Sequence, residues 1–188
     1  LEYGGQRTPT AQWTATAAGA IILGTRDQYK TAGVGVQAVT FGRIVDFGIK
    51  DANNMGAAMA PAAANTLTDY LNDTGTKPTD YDLILTGDLG LVGSRLLEEV
   101  MQRDDKDIRP VHRDCGLMIY DRKKQDVHAG GSGCGCSAAI LCSTILQQMG
   151  AGKLRKVLFV GTGALMSPTS SQQGESIPSV AHLVYLRS

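Results

Sequence analysis

The sequence predicts an α/β fold, a layered structure around a mixed, mainly parallel sheet. Three observations carry that expectation. Asp82–Thr86 (DLILT) and Lys156–Val160 (KVLFV) are short, continuously apolar runs, the pattern of strands covered on both faces. Helical patterns separate the strand candidates, the spacing of a parallel sheet. Glycine turns also lie at the ends of strand candidates, at Gly87–Gly90, at Gly161–Gly163 and in the entry Gly130–Cys136. In open α/β sheets ligands sit outside the carboxyl ends of strands, so these three turns are expected to converge on a pocket.

In order, Leu1–Pro9 reads as polar loop and Trp13–Leu23 (WTATAAGAIIL) as a buried strand. Val34–Phe47 is rich in β-branched residues and predicts a long strand, with Gly42-Arg43 as a bulge. An alanine-rich helix is expected from Met55 to about Asn72, either kinked at Pro61 or starting there. Gly75, Pro78 and Thr79 form the turn after it. A helix from about Ser94 to Gln102 should place Leu96, Leu97 and Val100 on one face and Glu98 and Glu99 on the other. Gln102–His112 reads as a solvated charged loop, Cys115–Tyr120 (CGLMIY) as a strand and Asp121–Asp126 as its turn.

Gly130–Gly150 (GGSGCGCSAAILCSTILQQMG) is a glycine turn entering a helix that closes at Gly150. Glycine lets a backbone approach a ligand closely, and a helix start offers N–H groups to an anion. The same glycines can equally serve close packing of helix on sheet. Leu165–Ser176 is expected as a loop and Ser179–Leu186 as the final strand.

Composition narrows the function classes. The 188 residues, 43% of them hydrophobic, suffice for a substantial core. Eighteen basic residues balance eighteen acidic ones, which gives nucleic acid no gross electrostatic attraction. No apolar run reaches membrane-span length and no signal-peptide pattern opens the sequence. The four cysteines form no disulfide framework. Cys134-Gly135-Cys136 lacks the spacing of a zinc pair, so no metal or cofactor is expected, and packed thiols in a reducing compartment are the expectation. Asp88 can orient a ligand or cap a helix, and capping is the commoner use.

Several strings together carry a resemblance: EYGGQ (Glu2–Gln6), MGAAMAPAAA (Met55–Ala64), YDLILTGDL (Tyr81–Leu89), DCGLMIY (Asp114–Tyr120), GGSGCGCSA (Gly130–Ala138) and GTGALMSP (Gly161–Pro168). They resemble the stage V sporulation protein AD family, within the thiolase-like superfamily. The resemblance implies one half of a two-half thiolase-like fold with a five-stranded sheet. Residues 1–30 would end the N-terminal half and residues 31–188 would form the C-terminal half. A first residue that is Leu rather than Met accords with part of a longer or processed chain.

The resemblance further implies a spore protein, peripheral at the inner membrane, that binds dipicolinic acid for uptake into the developing spore. Its implied partners are the other stage V sporulation membrane proteins, the missing N-terminal half and, when intact, a second copy in a homodimer. Condensing members of the superfamily pair a cysteine of the N-terminal half with a His and an Asn of this half. Here Gly87 stands at the His position and Ser132 at the Asn position. That departure favours a non-catalytic protein over the alternatives, an acyltransferase or condensing enzyme and a structural subunit docking membrane partners. The expected ligand-binding residues are Gly87, Asp88, Gly131, Ser132, Gly133 and Cys134, with no catalytic residue and no metal ligand.

Overall fold

A computed structural model describes residues 7–25, 27 and 33–188. Strands β2 (Gly35–Thr40), β3 (Leu83–Thr86), β4 (His112–Asp114), β6 (Lys156–Ala164) and β7 (Ser179–Arg187) form a five-stranded sheet in the order β2-β7-β6-β3-β4. β3 pairs parallel with β4 and β6, whereas β7 pairs antiparallel with β6 and β2. Four strands therefore run one way and β7 alone runs the other. A separate two-residue parallel pair joins β1 (Trp13–Thr14) to β5 (Gly131–Ser132).

Strand alternation divides the core into two layers. Ile84 of β3 and Leu158 of β6 point into a cluster built on helix α1 (Met55–Thr74) and helix α2 (Gly90–Arg103). Leu83, Leu85 and Val157 point to the other face, against Cys136, Ile140, Ile145 and Met149. That second layer is the helix α4 (Cys134–Ile140), which continues through a π turn at Leu141–Ile145 into α5 (Leu146–Gly150). Every residue of β3 is buried, as its apolar run predicts.

Helix α1 starts at Met55, where the Asn54 side chain accepts the Ala57 N–H, and it ends at Gly75 in the left-handed conformation. Pro61 lies inside it rather than at its start. Its contact with α2 depends on two glycines. A Cβ on Gly56 would lie 2.3 Å from the Leu89 carbonyl oxygen, and one on Gly93 would lie 2.7 Å from the Gly56 Cα. Any side chain at either position would push the helices apart.

Several expectations need correction. The Trp13–Leu23 strand shrinks to Trp13–Thr14; beyond Ala15 the segment is exposed, with Ile22 88% and Leu23 79% accessible. β2 ends at Thr40 and its register shift falls between Val36 and Ala38, not at Gly42-Arg43. Helix α2 begins four residues earlier than expected and buries Gly90, Gly93, Ser94, Leu97 and Met101, leaving Leu96 and Val100 on its outer side. Cys115–Met118 is a short helix, α3, rather than a strand. The strand is instead His112–Asp114, which starts at the last residue of the expected charged loop. Gly161–Gly163 belongs to β6 rather than to a turn, and Gly150 is the last helical residue, not the one after it. The expected loop after β6 contains helix α6 (Pro168–Gln172). Of the expected loop Leu1–Pro9, residues 1–6 lie outside the described residues.

Candidate functional site

A cleft of about 330 Å³ opens where the carboxyl end of β3, the last part of β6 and the start of α4 meet. Met55 and Met59 of α1 form its apolar side; Asp88, Ser132, Gly133, Cys134, Ser137 and Thr162 form the polar side. Four of the expected ligand residues, Asp88, Ser132, Gly133 and Cys134, thus come together. The other two lie behind the lining. Gly87 is buried against β6, where a Cβ would stand 2.7 Å from Thr162 Oγ1. Gly131 is buried beneath Ile119 and Tyr120.

Asp88 organises the cleft. Its Oδ2 accepts the Gly133 N–H at 2.8 Å and the Ser132 hydroxyl at 3.1 Å, and its Oδ1 accepts the Thr162 hydroxyl at 2.9 Å. Asp88 therefore ties three elements together across the cleft and caps the α4 entry from a distance in sequence. The Gly133 N–H, a donor expected to face a ligand, is already engaged. Gly133 itself has φ 97 and ψ 160, a backbone region open in practice only to glycine.

Two residues absent from the expectations hold this arrangement. Gln12 donates through Nε2 to the Asp88 carbonyl (2.8 Å) and to the Gly131 carbonyl (2.7 Å), clamping the two turns to each other. Asp114 is 1% exposed and accepts four hydrogen bonds, from the N–H groups of Leu89, Gly90 and Leu117 and from the Thr86 hydroxyl. Burial pushes its carboxyl up to about 6 against those donors, with Asp88 adding a smaller push in the same direction. An Asp two residues past His112 and one before α3 is a helix-cap signal, hidden by the adjacent charged run.

The thiols separate into two kinds. Burial raises Cys115, and raises Cys136 to about 12, which keeps both protonated in the core. Cys134 is exposed at the cleft, and Cys142 is partly exposed, so the expectation of uniformly packed thiols holds for two of four. His112, expected in a loop, is buried in β4. His128 is in a loop, and His182 is in β7, where its Nδ1 accepts the Gly42 N–H. No imidazole and no side-chain amide lines the cleft. Among the described residues no three His, Cys, Asp or Glu side chains gather as a metal site requires, and no helix is long and apolar enough to cross a membrane.

A family model described as Stage V sporulation protein AD matches residues 1–187. The chain is similar to the Stage V sporulation protein AD of Bacillus subtilis (strain 168), with 46% identity over 182 residues, 96% of this chain and 52% of that protein. It thus spans about half the length of the curated relative it matches. Among solved structures it is similar to the tetronic acid condensing enzyme AbyA1 (TM-score 0.44, 14% identity, 82% of this chain and 47% of that one). It is also similar to the 3-oxoacyl-acyl-carrier-protein synthase III of Aquifex aeolicus VF5 (TM-score 0.44, 12% identity, 85% of this chain and 46% of that one).

Proposed function

The chain belongs to the stage V sporulation protein AD family, and from that premise we propose that its cleft binds dipicolinic acid, as the step by which the intact protein hands this ligand into the developing spore. The observation that carries the reading is the make-up of the cleft. It has one apolar side, Met55 and Met59, against one side of hydroxyls and a glycine turn, and it offers no imidazole or side-chain amide to activate a thioester. A flat pyridine ring suits the methionine side, and its carboxylates suit Ser132, Thr162 and the Gly133 N–H. The condensing-enzyme alternative is not favoured, because Gly87 and Ser132 replace the groups that chemistry uses.

Asp88 sets the terms of binding. A ligand carboxylate can reach the Gly133 N–H and Ser132 only by displacing the Asp88 carboxylate or by sharing a proton with it. Two bare carboxylates in one site repel. The Asp88 carboxylate therefore competes with a bound carboxylate for the same donors. In this reading the protein acts peripherally at the spore inner membrane with its stage V partners. A second half of the fold covers the exposed apolar residues of this one, and the intact protein pairs as a homodimer.

Calorimetric titration of dipicolinate into the full-length protein at several pH values tests the proposal. Saturable binding supports it. No binding at any pH overturns it in favour of the docking-subunit reading.

A further inference from the structure

Behind the cleft runs a chain of polar side chains that the binding reading does not use. Glu98 of α2, with 28% of its side chain exposed, places Oε1 2.8 Å from His112 Nδ1. His112 Nε2 lies 3.0 Å from Thr86 Oγ1, and Thr86 Oγ1 lies 2.7 Å from Asp114 Oδ2. Asp114 then accepts the Leu89 N–H at 2.9 Å and the Gly90 N–H at 3.0 Å, the two residues that follow Asp88. Thr86, His112 and Asp114 are all buried. The ordering Glu, His, Thr has the look of a nucleophilic triad, but Thr86 has no accessible surface and is not part of the cleft lining.

Counting protons along the three links gives a constraint. With both carboxylates ionised and His112 neutral, two hydrogens must serve three links. If Nδ1–H points to Glu98 and the Thr86 hydroxyl to Nε2, then Thr86 and Asp114 face each other as two acceptors. If the hydroxyl turns to Asp114, it confronts the bare Nε2. If Nε2 carries the hydrogen, Nδ1 confronts the Glu98 carboxylate. An unmade bond in a buried chain is costly. One additional proton fills every link, and it does so in three ways. It makes His112 an imidazolium, or it sits on Glu98 with His112 protonated at Nε2, or it sits on Asp114. The last form arises from the first without loss or gain. Nε2 gives its proton to Thr86 Oγ1 as the Thr86 hydroxyl proton passes to Asp114 Oδ2.

We propose that Glu98, His112, Thr86 and Asp114 are a relay that takes up one shared proton and transmits its presence to the backbone of the Asp88 turn. Burial pushes His112 below its ordinary value, against the pull of Glu98, and pushes Asp114 up. Both shifts favour the proton on Asp114 over the proton on His112, and the hydrogen bonds that join the two make them titrate as a unit. Other charged groups face the chain. Arg113, its neighbour on β4, opposes charge on His112, Arg109 faces Glu98, and Asp88 opposes charge on Asp114 from the cleft side. Cys115 of α3 and Cys136 of α4 remain neutral thiols beside Asp114.

The test needs no ligand, so its failure is distinct from failure of the binding reading. Nitrogen NMR of the His112 ring and of the Leu89 and Gly90 amides in the full-length protein is followed between about pH 5 and 8. One common midpoint for all three signals is expected. Separate midpoints, or no titration in that range, would overturn the relay. Glu98→Gln supplies the discriminating variant. A glutamine N–H can donate to Nδ1, so every link is filled without the additional proton. The common midpoint should therefore fall by about one pH unit or more, a tenfold loss of proton affinity. Glu98 is the least buried member, so the variant keeps the core. An unchanged midpoint in folded Glu98→Gln would leave Glu98 a structural partner only and reject the proposal.

Discussion

The Asp88 carboxylate accepts the Gly133 N–H at 2.8 Å across 45 residues of sequence, so the positive entry of α4 already carries an internal anion. Removing that charge while keeping the shape tests its role. Asp88→Asn retains an acceptor for Gly133 and no longer repels a ligand carboxylate. It should bind dipicolinate about tenfold more tightly at neutral pH. Calorimetric titration of both proteins reads this. Weaker binding by the folded variant would show that Asp88 holds the ligand rather than competing with it.

Gly133→Val acts through the backbone. The added Cβ would meet only Thr14 Cγ2, at an ordinary 3.6 Å, so space is not the obstacle; φ 97 is. The variant should lose roughly 1–3 kcal/mol of stability, or relax the turn and weaken dipicolinate binding at least tenfold. Lys106→Ala, in the charged segment after α2, is the control and should change neither. Denaturant unfolding and ligand titration on the three proteins separate these outcomes, and a Gly133→Val protein matching wild type in both would remove the turn from the site.

Asp114→Asn should destabilise the fold by about 2–4 kcal/mol although it removes a buried charge. An amide offers one acceptor oxygen, and its NH2 would confront backbone N–H groups that Asp114 now satisfies. The pH dependence identifies the cause. A carboxyl raised to about 6 when folded binds a proton that the unfolded chain releases. Its contribution to stability is present below the unfolded value near 4 and is lost as pH rises through about 6. The difference between wild type and variant should therefore shrink between pH 5 and pH 7.5, by about 1.4 kcal/mol. A difference independent of pH would assign Asp114 no proton.

No condensation or thioester hydrolysis is expected with acetyl- or longer acyl-coenzyme A, even in the full-length protein, because the cleft presents neither imidazole nor amide. Cys134 is the thiol to watch, since it is exposed there while Cys136 is buried and held protonated. Turnover abolished by Cys134→Ser would reverse this assignment.

Residues 1–188 on their own should associate or precipitate. Ile22, Leu23, Phe41, Ile44 and Phe47 are all more than half exposed, a surface that suits burial against a second half of the fold. Sedimentation reads the result directly. A monodisperse, cooperatively unfolding monomer would count against the two-half architecture.

The elements that could be read in advance are those whose pattern is self-contained. β3 and β7 announce themselves by apolar runs of strand length, and α1 by its alanines. Cys115–Met118 misled because a short apolar run has no periodicity to separate helix from strand. His112–Asp114 hid for the opposite reason. It is a strand of three polar residues, two of them buried through hydrogen bonds made to β3, α2 and the Asp88 turn. Long-range hydrogen bonding leaves no mark in local composition. The same limit applies to the cleft. Glycine turns indicated where it would lie, but the engagement of Gly133 by Asp88 and the clamp made by Gln12 depend on partners 45 and more residues away.

The position of β7 has a bearing on how the chain is made. Its nine residues separate β2 from β6, so among the described residues β2 has no strand partner in the sheet until Ser179–Arg187 has been synthesised. A ribosome adding roughly 5–20 residues per second leaves β2, with Val36 and Val39 bare, waiting on the order of ten seconds. During that interval the nascent chain carries an open β edge, a row of unpaired N–H and C=O groups on which another chain can pair.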